Sequence, residues 1–206
     1  MAPKMADAAA ARIRLHVPQA KLVVVLRDPV ERLRSEYRYN RQRGWDQRDL
    51  TSAVAAPENP YVGKSLYFRC LLPYLERFEC KQIVVVRTEE LHDPDGAWAA
   101  LLDFLALEQV PAPVERHLET DTLPQMRPIN GFLERRYPRA VIGRLPAPLR
   151  KAGQWLATDR DPLASRRRRA DSEAALPDAV LDLLRKDASM LHDALGWRQP
   201  AWASVS

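Results

Sequence analysis

The 206-residue sequence contains little glycine and little cysteine, and it has no long hydrophobic run. The seven glycines form no glycine-rich loop, which is the usual cradle for a nucleotide phosphate. The two cysteines, Cys70 and Cys80, are too far apart on a continuous helix for a disulfide, and the lack of nearby histidine argues against a metal site. No window approaches the ~18 apolar residues of a transmembrane helix, and residues 1–11 lack the apolar stretch of a signal peptide.

The composition and charge are those of a folded chain with an anionic partner. Hydrophobic residues make up 46% and charged residues 29%, which excludes disorder over the whole length. The length predicts a single domain over residues 1–206. A net charge of +5 and a pI near 9.4 indicate an anionic ligand, but they do not choose among a nucleotide, a sulfated sugar and a nucleic acid.

Two apolar runs, residues 21–26 and 82–86, predict strands that are buried on both faces of a parallel sheet. Helices are expected at residues 6–17, 29–43, 51–56, 64–78, from Asp93 with Pro94 at its first position, and 177–195. Pro73 is expected to kink or divide the fourth of these. Residues 108–170 are rich in proline and arginine and less regular. The pattern predicts an α/β fold.

The first strand–turn–helix carries the strongest chemical signal. Arg27 stands at the carboxyl end of the strand, where open α/β sheets bind ligands, and its guanidinium suits a phosphate. Asp28 is a good N-cap, Pro29 fits the first helical position, and Glu31 completes a capping box. Ser35 follows Arg27 by eight residues, about two helical turns into the helix. From the residues alone, an Arg27 that pairs with an acidic neighbour and a surface Ser35 remain the alternative.

Residues 21–37 resemble the 3′-phosphate-binding motif of sulfotransferases that use 3′-phosphoadenosine 5′-phosphosulfate (PAPS), in which a strand is followed by Arg-x-Pro and a serine eight residues after the arginine. The resemblance is to heparan-sulfate-type and bacterial-type members. It continues through Ser65–Phe78, the strand and Glu-x-Leu turn of residues 82–91, Leu101–Leu105 and the Gly196–Trp202 end. It covers residues 12–107 well and 171–206, the C-terminal helix and tail, moderately.

By this resemblance the fold is the three-layer P-loop-NTPase-like α/β fold of sulfotransferases, with helices flanking a parallel sheet. Arg27 and Ser35 hold the 3′-phosphate of PAPS, and no metal takes part. The implied activity is sulfuryl transfer to a hydroxyl or amine of a small-molecule or carbohydrate acceptor, with neither nucleic acid nor a membrane segment involved. The family loop that grips the 5′-phosphosulfate has no counterpart, so an N-terminally incomplete domain is expected in preference to a degenerate relative.

The catalytic base stays unassigned, because His16, His92, His117 and His192 are scattered along the sequence. Tyr67 is either a core residue or an aromatic near the cofactor, and Arg127 and Asn130 receive no role. The alternatives are an inactive binding module that keeps only the 3′-phosphate half-site and a basic nucleic-acid-binding domain. The nucleic-acid-binding alternative rests on the pI and the run Arg166–Arg169, but the sequence contains no recognisable motif for reading nucleic-acid bases. The location is cytoplasmic for a complete chain and the Golgi membrane if an anchor precedes it.

Overall fold

Two parallel strands joined by helices form a sheet in the part of the chain that the structure describes. The computed structural model describes residues 3–56, 59–91, 96–111, 174–197 and 202–205. Within them β1 (Leu22–Leu26) pairs with β2 (Ile83–Arg87), in a register that places Leu22 opposite Ile83 and Leu26 opposite Arg87. A parallel pair needs a long crossover, and helices supply it here. The predicted α/β fold and the parallel sense of the strands are therefore confirmed.

The helices of the described segments follow the predicted order. They are α1 (Pro3–His16), α2 (Pro29–Gln42), α3 (Leu50–Ala55), α4 (Pro60–Ser65), α5 (Tyr67–Leu75), α6 (Ala97–Leu105) and α7 (Asp178–Leu195), with short 3₁₀ turns at Cys80–Gln82 and Ala203–Val205. Gly44 and Gly196 take positive φ values of 71° and 63° just beyond the ends of α2 and α7. None of these helices combines the length and the apolar character needed to span a bilayer.

The described chain divides into two compact units. The first holds the described residues of Met1–Leu33, Val62–Arg116 and Asp178–Ser206, and the second holds those of Arg34–Tyr61 and His117–Pro177. In the first unit, α1 and α7 pack against α5, and α6 packs against β2. The core of this unit includes the buried side chains Leu26, Leu33, Leu71, Val86, Leu102, Leu184 and Leu191. The burial of these apolar groups stabilises the unit that contains the sheet.

The prediction that β1 is buried on both faces is wrong for the described residues. Leu26 is buried, but Val23 and Val25 are 39% and 49% exposed. Side chains alternate between the two faces of a strand, so these two valines share the face opposite Leu26. Among the described residues β1 has β2 as its one strand neighbour, and no described element covers Val23 and Val25 fully.

The break in the predicted helix of residues 64–78 occurs at Leu66, and Pro73 does not divide the helix. Leu66 has φ −82° and ψ 80°, which ends α4 and begins α5, whereas Pro73 lies inside α5 two residues before its end. A proline interrupts a helix because it lacks an N–H and crowds the preceding turn. Pro73 is close enough to the C-terminus of α5 that the helix simply ends at Leu75.

The helix predicted from Asp93 begins later than expected. Gly96 is the N-cap of α6, which starts at Ala97. Asp93 and Pro94 lie outside the described residues. Leu101 and Leu102 are the buried residues of α6.

A buried carboxylate of α7 caps the N-terminus of α5. Asp187 is 4% exposed, and its side chain accepts hydrogen bonds from the backbone N–H groups of Phe68 at 2.8 Å and Arg69 at 3.2 Å. The first turn of a helix leaves such groups without an intrahelical partner, so this carboxylate satisfies two of them. Burial raises the pKa of Asp187, while the two backbone hydrogen bonds offset part of the shift. The contact fixes the start of α5, where Tyr67 lies.

The second unit is organised by a buried polar cluster. Asp46 is 7% exposed and accepts hydrogen bonds from the Tyr61 hydroxyl at 2.8 Å and from the Arg48 guanidinium at 2.7 Å. Burial acts to raise the pKa of Asp46, but the hydrogen bonds from Arg48 and Tyr61 outweigh it and hold that pKa below its usual range. The Tyr61 ring meets the buried Tyr37 ring edge-on, with centroids 5.9 Å apart. These contacts tie the loop after α2 to the start of α4.

Candidate functional site

The carboxyl edge of the sheet leads directly into the turn Arg27–Asp28–Pro29. The Thr88 N–H donates to the Leu26 carbonyl at 2.7 Å, so the pairing of the two strands continues to this edge. After Leu26 the chain passes through the turn and enters α2 at Pro29. The carboxyl ends of parallel strands are where open α/β sheets bind ligands. The structure places Arg27 there, as the sequence predicts.

Asp28 caps α2 as predicted. Its Oδ1 accepts hydrogen bonds from the backbone N–H groups of Val30 at 2.9 Å and Glu31 at 3.0 Å. Its Oδ2 accepts a hydrogen bond from the Ser204 hydroxyl at 2.5 Å. The carboxylate is therefore directed toward the helix N-terminus and the C-terminal 3₁₀ turn. An anion near Arg27 then faces less repulsion than the sequence alone suggests.

The Arg27 guanidinium is open to solvent. Its side chain is 45% exposed and lies 3.6 Å from Glu31, one turn along α2. A surface pair of this kind contributes little, typically less than ~1 kcal/mol, and solvent competes with it. The alternative in which Arg27 pairs with an acidic neighbour is therefore seen in the structure, but this ion pair is long and exposed. An incoming phosphate can displace Glu31 at small cost.

The backbone of the turn is held by hydroxyl groups from the α4–α5 junction. The Tyr67 hydroxyl donates to the Arg27 carbonyl at 2.9 Å, and Ser65 Oγ donates to the Pro29 carbonyl at 3.0 Å. Ser65 Oγ also accepts from Arg32 Nε at 2.8 Å. The buried polar groups are hydrogen-bonded to one another, which makes the turn rigid.

Tyr67 is both a core residue and a neighbour of the site. It is 7% exposed, and burial raises its pKa to about 12. Of the two interpretations drawn from the sequence, the structure confirms the core position, and it places the Tyr67 hydroxyl at the turn that carries Arg27. The sequence did not predict the hydroxyl contacts of Ser65 and Ser204. The Ser65–Leu66–Tyr67 stretch, which belongs to the family resemblance, was a signal that could have indicated the contact of Ser65.

Ser35 lies on α2 and is half-buried. It belongs to the second unit, whereas Arg27 belongs to the first. The structure confirms the helix that carries Ser35 and the predicted position two turns after its start.

One tryptophan after the end of α7 packs beside Tyr67, and a second packs against the first. The centroid of the buried Trp202 ring lies 5.7 Å from that of Tyr67 and 6.0 Å from that of Trp197. Arg87, the last residue of β2, forms a close ion pair with Glu90 and lies over the Trp197 ring, 6.0 Å from its centroid. The C-terminal end of the chain therefore contacts the same sheet edge as the turn.

A cavity of about 400 Å³ lies beside β1 and α5. Its walls are mainly apolar and include Leu22, Val24, Leu71 and Ile83, with Lys21 and Lys64 among the lining residues. Of its polar lining groups, the Lys21 ammonium and the Tyr67 hydroxyl donate to the backbone carbonyls of Phe104 and Arg27, whereas a binding site directs such groups at its ligand. The turn at Arg27 is for that reason the stronger candidate for an anionic ligand.

The two described histidines, His16 and His192, are assigned no role as a catalytic base. His16 is exposed at the end of α1, and His192 lies 3.5 Å from the exposed Asp193 on α7. His92, His117, Arg127, Asn130 and Arg166–Arg169 lie outside the described residues. Within the described segments no group of histidine, cysteine and carboxylate side chains could hold a metal ion. Cys70 and Cys80 are not joined by a disulfide, and Cys70 Sγ lies 3.6 Å from the Gly63 carbonyl oxygen.

The fold agrees with a comparison against protein families. The model of the sulfotransferase domain matches residues 8–134, which is more than half of the chain and includes β1, α2, α5, β2 and α6. The chain belongs to the sulfotransferase family. A comparison with curated proteins found no significant match.

Proposed function

We propose that this protein transfers a sulfuryl group from PAPS to a hydroxyl or amine of an acceptor, and that Arg27 and Ser35 hold the 3′-phosphate of the nucleotide. The family assignment supports sulfuryl transfer as the general activity. The observation that carries the finer proposal is the exposed guanidinium of Arg27 at the carboxyl edge of the sheet, with its only described carboxylate partner 3.6 Å away.

The donor set at the turn fits a phosphate monoester. A guanidinium offers paired N–H donors that match phosphate oxygens, and the adjoining helix N-terminus contributes a favourable dipole. The first amides of α2 are occupied by Asp28, so the side chain of Arg27 supplies the direct contacts. The residues described thus suit the 3′-phosphate.

The role of these residues is to bind and orient. PAPS, when bound, supplies the sulfuryl group. Arg27 fixes the 3′-phosphate end of the nucleotide, and the rigid turn limits the motion of that end. Sulfuryl transfer, like phosphoryl transfer, depends mainly on positioning and on electrostatic stabilisation of the charge that develops. Arg27 therefore contributes through placement of the donor and does not contact the transferring group.

Titration of the full-length chain with adenosine 3′,5′-bisphosphate tests the binding half of the proposal. A folded wild-type protein is expected to bind this nucleotide in the micromolar range. The transfer half is tested by following release of adenosine 3′,5′-bisphosphate from PAPS with a panel of hydroxyl and amine acceptors. Binding without release for any acceptor would favour the inactive binding module. No binding by the folded wild type would contradict the proposed site.

Ser35→Ala tests the second site residue. The substitution is expected to weaken nucleotide binding about tenfold, because a hydrogen bond from a hydroxyl to a charged group contributes ~1.5 kcal/mol at the lower end of its range. Alanine favours a helix more than serine does, so α2 is retained and stability is not expected to fall. Ser189→Ala, on the exposed face of α7, is the matched control and should bind as the wild type does. Equal affinities for Ser35→Ala and the wild type would remove Ser35 from the site.

A further inference from the structure

The three residues of the turn are each held by a different side chain. Tyr67 donates to the Arg27 carbonyl at 2.9 Å, Ser204 donates to the Asp28 carboxylate at 2.5 Å, and Ser65 donates to the Pro29 carbonyl at 3.0 Å. Two of these donors come from the α4–α5 junction and one from the C-terminal 3₁₀ turn. The conformation that presents Arg27 thus depends on segments distant in sequence.

The C-terminal segment, residues 202–205, lies against the same tyrosine. Trp202 and Val205 are 6% and 8% exposed, so the segment is anchored by two buried side chains. The Trp202 ring is tilted by 54° against the Tyr67 ring, with centroids 5.7 Å apart. The segment therefore contacts the turn twice, directly through Ser204 and indirectly through the ring whose hydroxyl holds Arg27.

The two hydroxyl groups can act without any change in charge. A buried tyrosine whose pKa is about 12 stays protonated at every pH at which the protein is assayed, so it remains a donor to the carbonyl. Ser204 is a neutral donor to Asp28. Their effect on a ligand at Arg27 is therefore one of position and not of added charge.

We propose that Tyr67 and Ser204 are positioning residues for Arg27, and that the docking of residues 202–205 and the binding of the nucleotide phosphate stabilise each other. This inference rests on the proposed phosphate site at Arg27. Because coupling between two binding events is reciprocal, a nucleotide at Arg27 tightens the docking of the segment by the same factor. Because either hydrogen bond acts on the ligand only through the position of Arg27, its loss predicts an effect of about threefold to tenfold on nucleotide affinity.

Two conservative variants with matched controls test the inference in the full-length protein. Tyr67→Phe removes the hydroxyl but keeps the ring that packs on Trp202, and Tyr74→Phe removes a hydroxyl from the same helix. Ser204→Ala removes the donor to Asp28, and Ser189→Ala is its control. Tyr67→Phe and Ser204→Ala are each expected to bind adenosine 3′,5′-bisphosphate about threefold to tenfold more weakly than the wild type. The controls Tyr74→Phe and Ser189→Ala should bind it as the wild type does.

A double-mutant cycle separates positioning from general destabilisation. If Tyr67 and Ser204 act through Arg27, Tyr67→Phe and Ser204→Ala should not weaken nucleotide binding further in a protein that already carries Arg27→Ala. The affinities of these double variants are measured at millimolar nucleotide. The inference would be overturned if the two substitutions weakened nucleotide binding equally in the protein with Arg27 and in the Arg27→Ala protein, or if they weakened it in neither protein. If Tyr67→Phe does not fold, Ser204→Ala carries the same cycle.

The outcomes also separate this inference from the proposed function. A folded wild type that does not bind the nucleotide overturns both. A second outcome overturns the positioning role alone. In it, the wild type binds the nucleotide and Arg27→Ala loses affinity, but Tyr67→Phe and Ser204→Ala bind as tightly as the wild type. Fluorescence quenching gives an independent test of the coupling. If the coupling is present, nucleotide binding should increase the protection of the Trp202 indole from an aqueous quencher.

Discussion

Arg27→Ala is expected to weaken the binding of adenosine 3′,5′-bisphosphate about tenfold to 150-fold, which corresponds to ~1.5–3 kcal/mol for a hydrogen bond between charged partners. The side chain is 45% exposed, so water competes with the ligand and the lower part of this range is expected. Arg27→Lys keeps the charge but loses the planar fork, and its affinity should fall between those of the wild type and the alanine variant.

The chain offers a matched control for the arginine. Arg185 on α7 is 46% exposed and pairs with Asp182 three residues away, so it resembles Arg27 in exposure and in its local ion pair. Arg185→Ala makes the same change in net charge as Arg27→Ala without touching the turn. It should keep the wild-type dissociation constant at each salt concentration. Similar losses in the two variants would mean that net charge, and not a site at Arg27, attracts the nucleotide.

Asp187→Ala is expected to lower the free energy of unfolding by about 2 kcal/mol, because it leaves the N–H groups of Phe68 and Arg69 buried without their acceptor. Asp187→Asn should lose less, since its amide oxygen can still accept from one of the two N–H groups, whereas the amide NH2 replaces the other acceptor. Urea unfolding at neutral pH measures the two losses. The exposed Asp193 provides the control variant Asp193→Asn. Equal destabilisation by alanine and asparagine at position 187 would contradict the capping role.

The same residue gives a pH dependence with a defined sign. Burial raises the folded-state pKa of Asp187 above its ordinary value. The stability linked to this carboxyl is therefore fully present at acidic pH, and it is lost as the pH rises through the raised pKa. Asparagine does not titrate, so the stability of the wild type relative to Asp187→Asn should decrease as the pH rises above about 4, the ordinary pKa of an aspartate. A constant difference over that range would mean that the pKa is not raised.

Local signals were sufficient to predict the strand–turn–helix. The β-branched run before Arg27 and the cap, proline and glutamate of residues 28–31 specify a strand followed by a helix without help from distant segments. The observed bonds from Val30 and Glu31 to Asp28 follow directly. The parallel pairing of the two strands was predictable for the related reason that a helical crossover lies between two apolar runs.

Contacts between distant segments could not be predicted in this way. Nothing in the neighbourhood of Asp187 or Ser204 indicates that the first caps α5 or that the second reaches Asp28 across 176 residues. The break at Leu66 depends on the same contacts, because Ser65 is held by the turn and Asp187 fixes the next helix start. The burial of Val23 and Val25 was overestimated for a related reason, since a run of apolar residues does not reveal how many elements cover it.

A comparison of two nucleotides by calorimetry tests the central claim most directly. Adenosine 3′,5′-bisphosphate and adenosine 5′-monophosphate share the base, the sugar and the 5′-phosphate, and only the first carries the group assigned to Arg27 and Ser35. The account predicts that the wild-type protein binds the bisphosphate at least about tenfold more tightly, as expected for one charge-assisted contact. Equal affinity for the two nucleotides would contradict it.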